Sequence, residues 1–379
     1  MQRIGLIAEY NPIHNGHIYQ IKEIKRLYPD SIIILITNSY FTQRGDISII
    51  NKWDKTKIAL DNNIDLVIEL PFPYATQSAD IFAKGALKIL NFLQIDTLIF
   101  GSESNDINKL KKLASTQLNN KKYDEKVKTY LNQGINYPTA MSNSLKDILG
   151  YTTSSPNDLL GISYIKEIIR NNYKINTVSI KRTIDYHSKI ASKKIASATL
   201  IRTLIREKKD ITNYIPKYQT DYFYQNLSLE SYFPYIKYKI ITSKNLAIYK
   251  TVDEGIENRI NKVINSVNSW KELVEKIKNK RYTYNKINRM LIHILTNFTK
   301  DESSNLNIDY IRVLGFSQKG RLYLNQIKKD LKVPLITNYK PNLSPLLDIE
   351  FRVAKIYSLP LNKNIIEKEY KQPPIYKKN

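Results

Sequence analysis

The sequence predicts an α/β fold, a parallel sheet with helices on both faces, followed by a mostly α-helical C-terminal domain. Three observations predict it. Over the first hundred residues, four short apolar, β-rich runs alternate with helix-period segments, the rhythm of a parallel sheet with crossover helices. A chain of 379 residues exceeds the size at which one hydrophobic core usually stops growing, so two units are expected. Beyond residue 216 the apolar spacing turns mainly helical.

The elements follow in order. Strands are expected at Arg3–Ala8, Ser31–Thr37, Asp65–Leu70 and Asp96–Phe100, with helices near Gly16–Tyr28, Lys52–Leu60 and Ala79–Phe92. In such a sheet, ligands sit beyond the carboxyl ends of the strands at the switch point. The loop Glu9–Asn15 lies there. The segment Leu110–Lys128 reads as a polar helix or an excursion, and Pro156–Arg170 as a helix with proline at its start. A short strand at Asn176–Ile180 precedes an amphipathic helix beginning at Ser197–Arg206. Periodicity breaks around Tyr214–Pro216, which sets the expected boundary between residues 1–215 and 216–379. Past it, Leu246–Leu295 reads as mainly helical, and Arg312–Leu314 and Pro334–Thr337 as short strands. There is no internal repeat.

Composition narrows the function. Hydrophobic residues make up 42% of the chain, too many for a disordered protein. No apolar run approaches the roughly 20 residues of a membrane-spanning helix, and the N-terminus reads as a strand, not a signal peptide. Cys is absent, which removes disulfides and thiolate metal sites. The cytoplasm is the expected compartment. The net charge of +24 is unevenly spread: residues 1–150 carry 18 Lys and Arg against 15 Asp and Glu, residues 151–379 carry 41 against 20. A lysine bias over solvated faces and a polyanion-binding surface both fit the charge. Its asymmetry favours nucleic acid.

Chemistry concentrates in Glu9-Tyr10-Asn11-Pro12-Ile13-His14-Asn15-Gly16-His17, between the first strand and the first helix. Two of the four histidines sit there, three apart, with Gly16 where backbone must approach something closely. A helix N-terminus attracts phosphate through its free N–H groups and dipole. Imidazoles beside it can donate to oxygens that gain negative charge during attack on phosphorus. A His-x-x-His pair also suits a metal, but with only His187 and His293 remaining and no Cys, a complete shell is hard to assemble. No metal ligands are assigned.

This strand-loop-helix resembles the HxGH signature of the nucleotidyltransferase superfamily, which includes adenylyltransferases and class I aminoacyl-tRNA synthetases. Further segments resemble the bacterial tRNA(Met) cytidine acetate ligase family: Asn51-Lys52-Trp53, Asp65–Pro71, Gln77-Ser78-Ala79-Asp80, Phe100-Gly101-Ser102-Glu103, Asn157–Tyr164, Lys181-Arg182, Tyr186-His187, Ser197–Arg202 and Lys280-Arg281-Tyr282-Thr283 with Ile287 and Arg289. The similarity spans most of the chain. It departs at Asn38-Ser39-Tyr40-Phe41, where the family pattern reads Ser-Gly-Asn-Phe.

The resemblance implies a Rossmann-like nucleotidyltransferase domain over 1–215 that binds ATP, as Mg-ATP, and a basic, mostly helical tRNA-binding domain over 216–379. It implies that acetate attacks the α-phosphate, pyrophosphate leaves, and acetyl-adenylate then acetylates the wobble cytidine of elongator tRNA(Met) to N4-acetylcytidine. His14, His17 and Arg202 would be catalytic. The nucleotide would be held by Ile7, Ala8, Glu9, Tyr10, Asn11, Pro12, Ile13, His14, Asn15, Gly16, His17 and Gln20, with Gly101, Asn157, Lys181, Arg182, Ser197 and Thr199. Gln43-Arg44-Gly45, near the same sheet edge, reads equally as a contact for acid or phosphates and as a solvated turn. Tyr282 and Tyr284, interleaved with cations, offer stacking faces for RNA, and Arg281 and Arg289 candidate phosphate contacts. Two rival readings stand: an adenylyltransferase acting on a small phosphorylated metabolite, and a non-catalytic RNA-binding protein with a nucleotide site.

Overall fold

The computed structural model describes residues 1–182, 194–216, 222–279, 281–361 and 364–378. Tyr186, His187 and Lys280, singled out above, lie outside the described residues. Five strands, β1 (Arg3–Ile7), β2 (Ile32–Asn38), β3 (Leu66–Leu70), β4 (Thr97–Ser102) and β5 (Asn176–Lys181), pair in parallel in the order β5-β4-β1-β2-β3. Chain order reverses between β1 and β4, which puts the switch point at their carboxyl ends.

The chain reaches this sheet through helices α1 (Asn15–Leu27), α2 (Lys52–Asp61), α3 (Phe72–Ala75), α4 (Ala79–Phe92), α5 (Ile107–Asn119), α6 (Lys121–Asn132), α7 (Tyr137–Leu149) and α8 (Pro156–Arg170), and α9 (Ala198–Arg206) follows β5. All seven residues of β2 are buried, as a strand covered on both faces requires. Its alternate residues serve different cores. Ile32, Ile34 and Ile36 join a cluster with Leu87, Leu110 and Ile165, while Ile33 and Leu35 join Ile21, Ile24, Trp53 and Ile201.

The C-terminal half contributes α10 (Phe233–Thr242), α11 (Ile256–Val263), α12 (Trp270–Ile277), α13 (Tyr284–Leu295), α14 (Lys300–Ser304), β6 (Ile311–Ser317), α15 (Gln318–Ile327), β7 (Leu335–Ile336), α16 (Pro345–Ser358), α17 (Ile365–Lys371) and β8 (Ile375–Lys377). It is mostly helical, as the spacing predicts. Its strands, however, belong to the main sheet: β6 runs antiparallel to β3 and pairs in parallel with β7 and β8. The sheet therefore crosses the boundary expected at residue 215. The third core, built on Tyr232, Ile236, Ile260, Leu273 and Met290, also takes in Tyr40, Phe41, Ile47 and Phe72 from the N-terminal half.

A buried ionic cluster ties the halves together. Lys52 Nζ lies 2.6 Å from carboxylate oxygens of both Glu69 and Glu369, and Arg312 contacts the same two carboxylates at 3.4 and 2.6 Å, all four side chains being fully buried. Removing one member would leave the other three with an unbalanced charge out of reach of solvent. The segment that departs from the family pattern feeds this cluster: Ser39 Oγ donates to Glu69 Oε1 at 2.6 Å, and Tyr40 OH donates to Glu369.

Candidate active site

The loop after β1 delivers both histidines to the start of α1. His14 is the N-cap, and its Nδ1 accepts from Gly16 N at 3.1 Å. His17 Nδ1 accepts from His14 N at 3.2 Å, so the two imidazoles form a reciprocal capping box. Their rings stack at 3.8 Å, with Tyr10 tilted against His17 at 4.7 Å. A Cβ on Gly16 would stand 2.9 Å from His14 Cε1, so the close approach this glycine permits is to the His14 ring itself.

Burial, with Arg182 and Arg202 nearby, pushes His14 down to about 3. Burial, His14 and Arg182 likewise hold His17 well below the ordinary imidazole value. Both rings are neutral at pH 7. Because each Nδ1 accepts, the single proton of each ring sits on Nε2. Two neutral N–H donors at a helix N-terminus can bind phosphate oxygens without carrying charge of their own.

Arg202 comes from α9, whose N-cap Ser197 accepts from Leu200 N at 3.2 Å. Its Nη1 donates to Asn11 O at 2.8 Å, its Nη2 to Thr199 Oγ1 at 3.4 Å, and it pairs with Asp46 at 3.5 Å. The guanidinium is thereby docked onto the His loop. Glu9, two residues past the end of β1, accepts from Gln43 N at 2.5 Å. Burial pushes its carboxyl up, opposed by the Gln43 hydrogen bond and by Lys55, Arg44 and Arg202. Lys55 Nζ donates to Asn38 O and Oδ1 at 3.0 Å, and its burial pushes it down to about 7.

Across the switch point, β4 and α8 cap each other. Buried Asp158 accepts from Glu103 N at 3.1 Å, Ser104 N at 3.2 Å and Ser102 Oγ, while Glu103 accepts from Asp158 N at 3.1 Å and Asn157 Nδ2 at 2.6 Å. The Arg182 stem lies over Gly101, its Cγ 3.4 Å from where a Cβ would be. Phe100 packs so closely on Gly161 that a Cβ there would stand 2.4 Å from its ring.

These parts open on one cleft of about 1230 Å³. Of the residues expected to hold the nucleotide or to react, Ile7, Ala8, Glu9, Tyr10, Asn11, His14, His17, Gln20, Gly101, Asn157, Arg182, Ser197, Thr199 and Arg202 line it. Gly16 and Lys181 line a smaller cleft that adjoins it at His14, His17 and Gln20. Pro12, Ile13 and Asn15 line neither. Ile13 is buried in the core, Pro12 is buried behind the loop, and Asn15 Nδ2 donates to the carbonyls of Lys194 and Asn213, stapling neighbouring loops.

The second wall of the cleft comes from the C-terminal half: Glu230, Trp270, Lys271, Tyr284, Asn288 and Arg289. Gly45, at φ +76°, packs so tightly on α13 that a Cβ would stand 2.4 Å from Arg289 N. Gln43 and Arg44 consequently line the cleft, not an open turn. Residues 38–41 do not line it. Tyr282 is no stacking platform: its ring lies in the helical core and its OH donates to Asp253 O at 2.6 Å. Tyr284 is half exposed on the cleft wall. Arg281 lies outside the cleft, exposed, 3.8 Å from Glu254. Glu103 and Asp158 were within motif segments but look like an ordinary loop acid after β4 and an ordinary first-turn acid of α8, and nothing local marks Trp270 or Asn288.

A family model described as HIGH nucleotidyl transferase matches residues 1–373. The chain belongs to this family. Among HIGH nucleotidyl transferase relatives, the tRNA(Met) cytidine acetate ligase of Anoxybacillus flavithermus is 37% identical over 99% of this chain and 100% of its own. That of Mycoplasma mobile is 42% identical over 78% of this chain and 99% of its own. Two crystal structures of Thermotoga maritima TmcAL match 100% of both chains: the apo form at TM-score 0.92 and 27% identity, and the form bound with alpha-thio ATP at 0.88 and 26%. In this HIGH nucleotidyl transferase, no helix among the described residues is long and apolar enough to cross a membrane.

Proposed function

We propose that the chain is a tRNA(Met) cytidine acetate ligase that works in the cytoplasm. ATP enters as Mg-ATP, its magnesium held largely by phosphates and water, and acetate attacks the α-phosphate. The Nε2–H groups of His14 and His17 donate to the α-phosphate oxygens as their charge grows. Arg202, Thr199 and the N–H groups at the α9 N-terminus take the departing pyrophosphate. Gly101, Asn157, Lys181 and Arg182 hold the adenosine side. The resulting acetyl-adenylate meets the wobble cytidine of elongator tRNA(Met), whose amine displaces AMP to give N4-acetylcytidine. Residues 1–215 supply the ATP chemistry and residues 216–379 the basic surface for tRNA.

The observation that carries this reading is the stacked pair of neutral imidazoles that shares one cleft with Arg202, in a chain whose relatives bear that name over their full length. Chemistry of this kind needs positioned donors more than covalent participation. The test is ATP consumption and transfer of radiolabelled acetate to bulk tRNA, followed by nucleoside analysis. Label in acetylcytidine is the expected result. Pyrophosphate release with no label on RNA would point to a different acid or acceptor.

A further inference from the structure

The cleft, at about 1230 Å³, exceeds the roughly 1000 Å³ that bounds most single-ligand pockets, and its floor offers a donor and acceptor pattern that the phosphates of a nucleoside triphosphate do not use. One residue of the loop between β2 and α2 joins the two walls there. Gln43 N–H donates to Glu9 Oε1 at 2.5 Å, and Gln43 C=O accepts from Arg289 Nη1 at 3.4 Å. Glu9 Oε2 has no hydrogen-bond partner among the described residues, and the other guanidinium nitrogens of Arg289 have none either. Burial, with Arg44 beside it, pushes Arg289 down to about 10.

A free carboxylate oxygen repels phosphates and wants an N–H donor. A desolvated guanidinium with spare donors wants acceptors. One planar ligand supplies both, because the Watson–Crick edge of cytosine presents the N4 amine as donor beside N3 and O2 as acceptors. We propose that Glu9 and Arg289 read this edge of the acceptor nucleotide, Glu9 Oε2 accepting from the exocyclic amine and Arg289 donating to N3 and O2. The assignment rests on the ligase reading above. Uracil is rejected at the same place: its O4 faces the carboxylate and its N3–H faces the guanidinium. Tyr284, half exposed on the same wall, offers a stacking face for a base turned out of its loop.

The test compares the unaltered protein with Glu9→Gln, Arg289→Gln and Arg289→Lys in three assays. The first is acetate-dependent ATP–pyrophosphate exchange without tRNA. The second is acetyl transfer from synthetic acetyl-adenylate to a tRNA(Met) transcript, and the third is competition by the same transcript carrying U in place of the wobble C. Each variant is expected to lose about tenfold more in transfer kcat/KM than in exchange, a factor set by one base-edge contact. Glu9→Gln is expected to narrow the preference for the C transcript over the U transcript without abolishing it, because Arg289 still opposes the N3–H of uracil. Equal losses in transfer and exchange, a raised KM for ATP, or an intact preference for C would overturn the assignment. Absence of acetate-dependent exchange in the unaltered protein would withdraw the ligase reading itself, and the assignment with it.

Discussion

His14 and His17 each do two jobs with one ring: Nδ1 takes part in the helix cap and the residue lines the cleft. Replacing His17 with Ala removes a donor and half of the capping box. Acetate-dependent pyrophosphate exchange should fall by about 100-fold or more, the scale of losing one charge-stabilising donor, while tRNA binding measured by filter retention stays within about twofold. Buried neutral histidines also set an acid limit. Burial holds His14 down to about 3, and holds His293 down to about 4 against the opposing pull of the Thr76 and Lys250 carbonyls that its ring nitrogens face. The folded protein therefore binds fewer protons than the unfolded chain between those values and the unfolded value near 6.5. Their stabilisation is complete above about pH 6.5 and is lost as pH falls below it, on the order of 2 kcal/mol for each residue by pH 5. Urea unfolding at pH 8, 6.5 and 5 checks this, and a flat profile would count against neutral burial. The His loop was legible in the sequence because rare residues stood at a strand-helix junction. Tyr282 was not, since the same Lys-Tyr pattern serves a core ring at one position and a wall ring two residues on, and only packing of α13 decides which.

Among the elements, two junctions set the cleft's width. Loop 42–46 meets α13 at Gly45, where positive φ and backbone contact both exclude a side chain. Gly45→Ala should destabilise by about 1–3 kcal/mol and lower acetyl transfer more than ATP binding, because it parts the two walls. Thermal melts alongside both activities test it; loss confined to stability would mean the walls close regardless. At the other junction, Asp158→Ala leaves the Glu103 and Ser104 N–H groups without their acceptor and Ser102 Oγ without its carboxylate partner, and should raise the KM for ATP while costing about 2–4 kcal/mol. The alternation of strands and helices was readable because β1 to β4 are mostly buried and apolar, while β5, an edge strand with only Thr177 and Ile180 buried, showed as a short β-rich run. β6 was underread and β8 missed. Arg312 interrupts the apolar run of β6 and looks solvated until Glu69 and Glu369 are brought to it, and Ile375–Lys377 is too short and polar to announce a strand.

At the scale of the whole molecule, the ionic cluster and the β3–β6 pairing argue that residues 1–215 do not stand alone. That fragment would keep the Lys52–Glu69 pair but lose the Glu369 and Arg312 contacts that complete the cluster, and would bare the β3 edge. Expressed by itself it should be insoluble or lack a cooperative melt, and a well-folded fragment would show that the sheet is complete without β6. The excess of 41 cations over 20 anions in residues 151–379 implies salt-dependent RNA binding. The logarithm of tRNA affinity should fall linearly with the logarithm of salt, and Lys271→Ala at the cleft rim should reduce the slope by about one unit. Composition revealed that basic half, but not that it forms the far wall of the cleft that holds the histidine pair, because apolar spacing identifies helices without saying which loops they pack on.

The pairing of β3 with β6 also has a meaning for synthesis on the ribosome. Ser317 at the end of β6 donates to Asp65 beside β3, residues 252 apart in sequence. At elongation rates of roughly 5–20 residues per second, the open side of β3 waits roughly ten to fifty seconds after it emerges before its partner is made. A nascent chain of this protein therefore spends most of its translation with an unclaimed strand edge, so codons that slow elongation between positions 70 and 311 should lower its soluble yield without changing a single residue of the product.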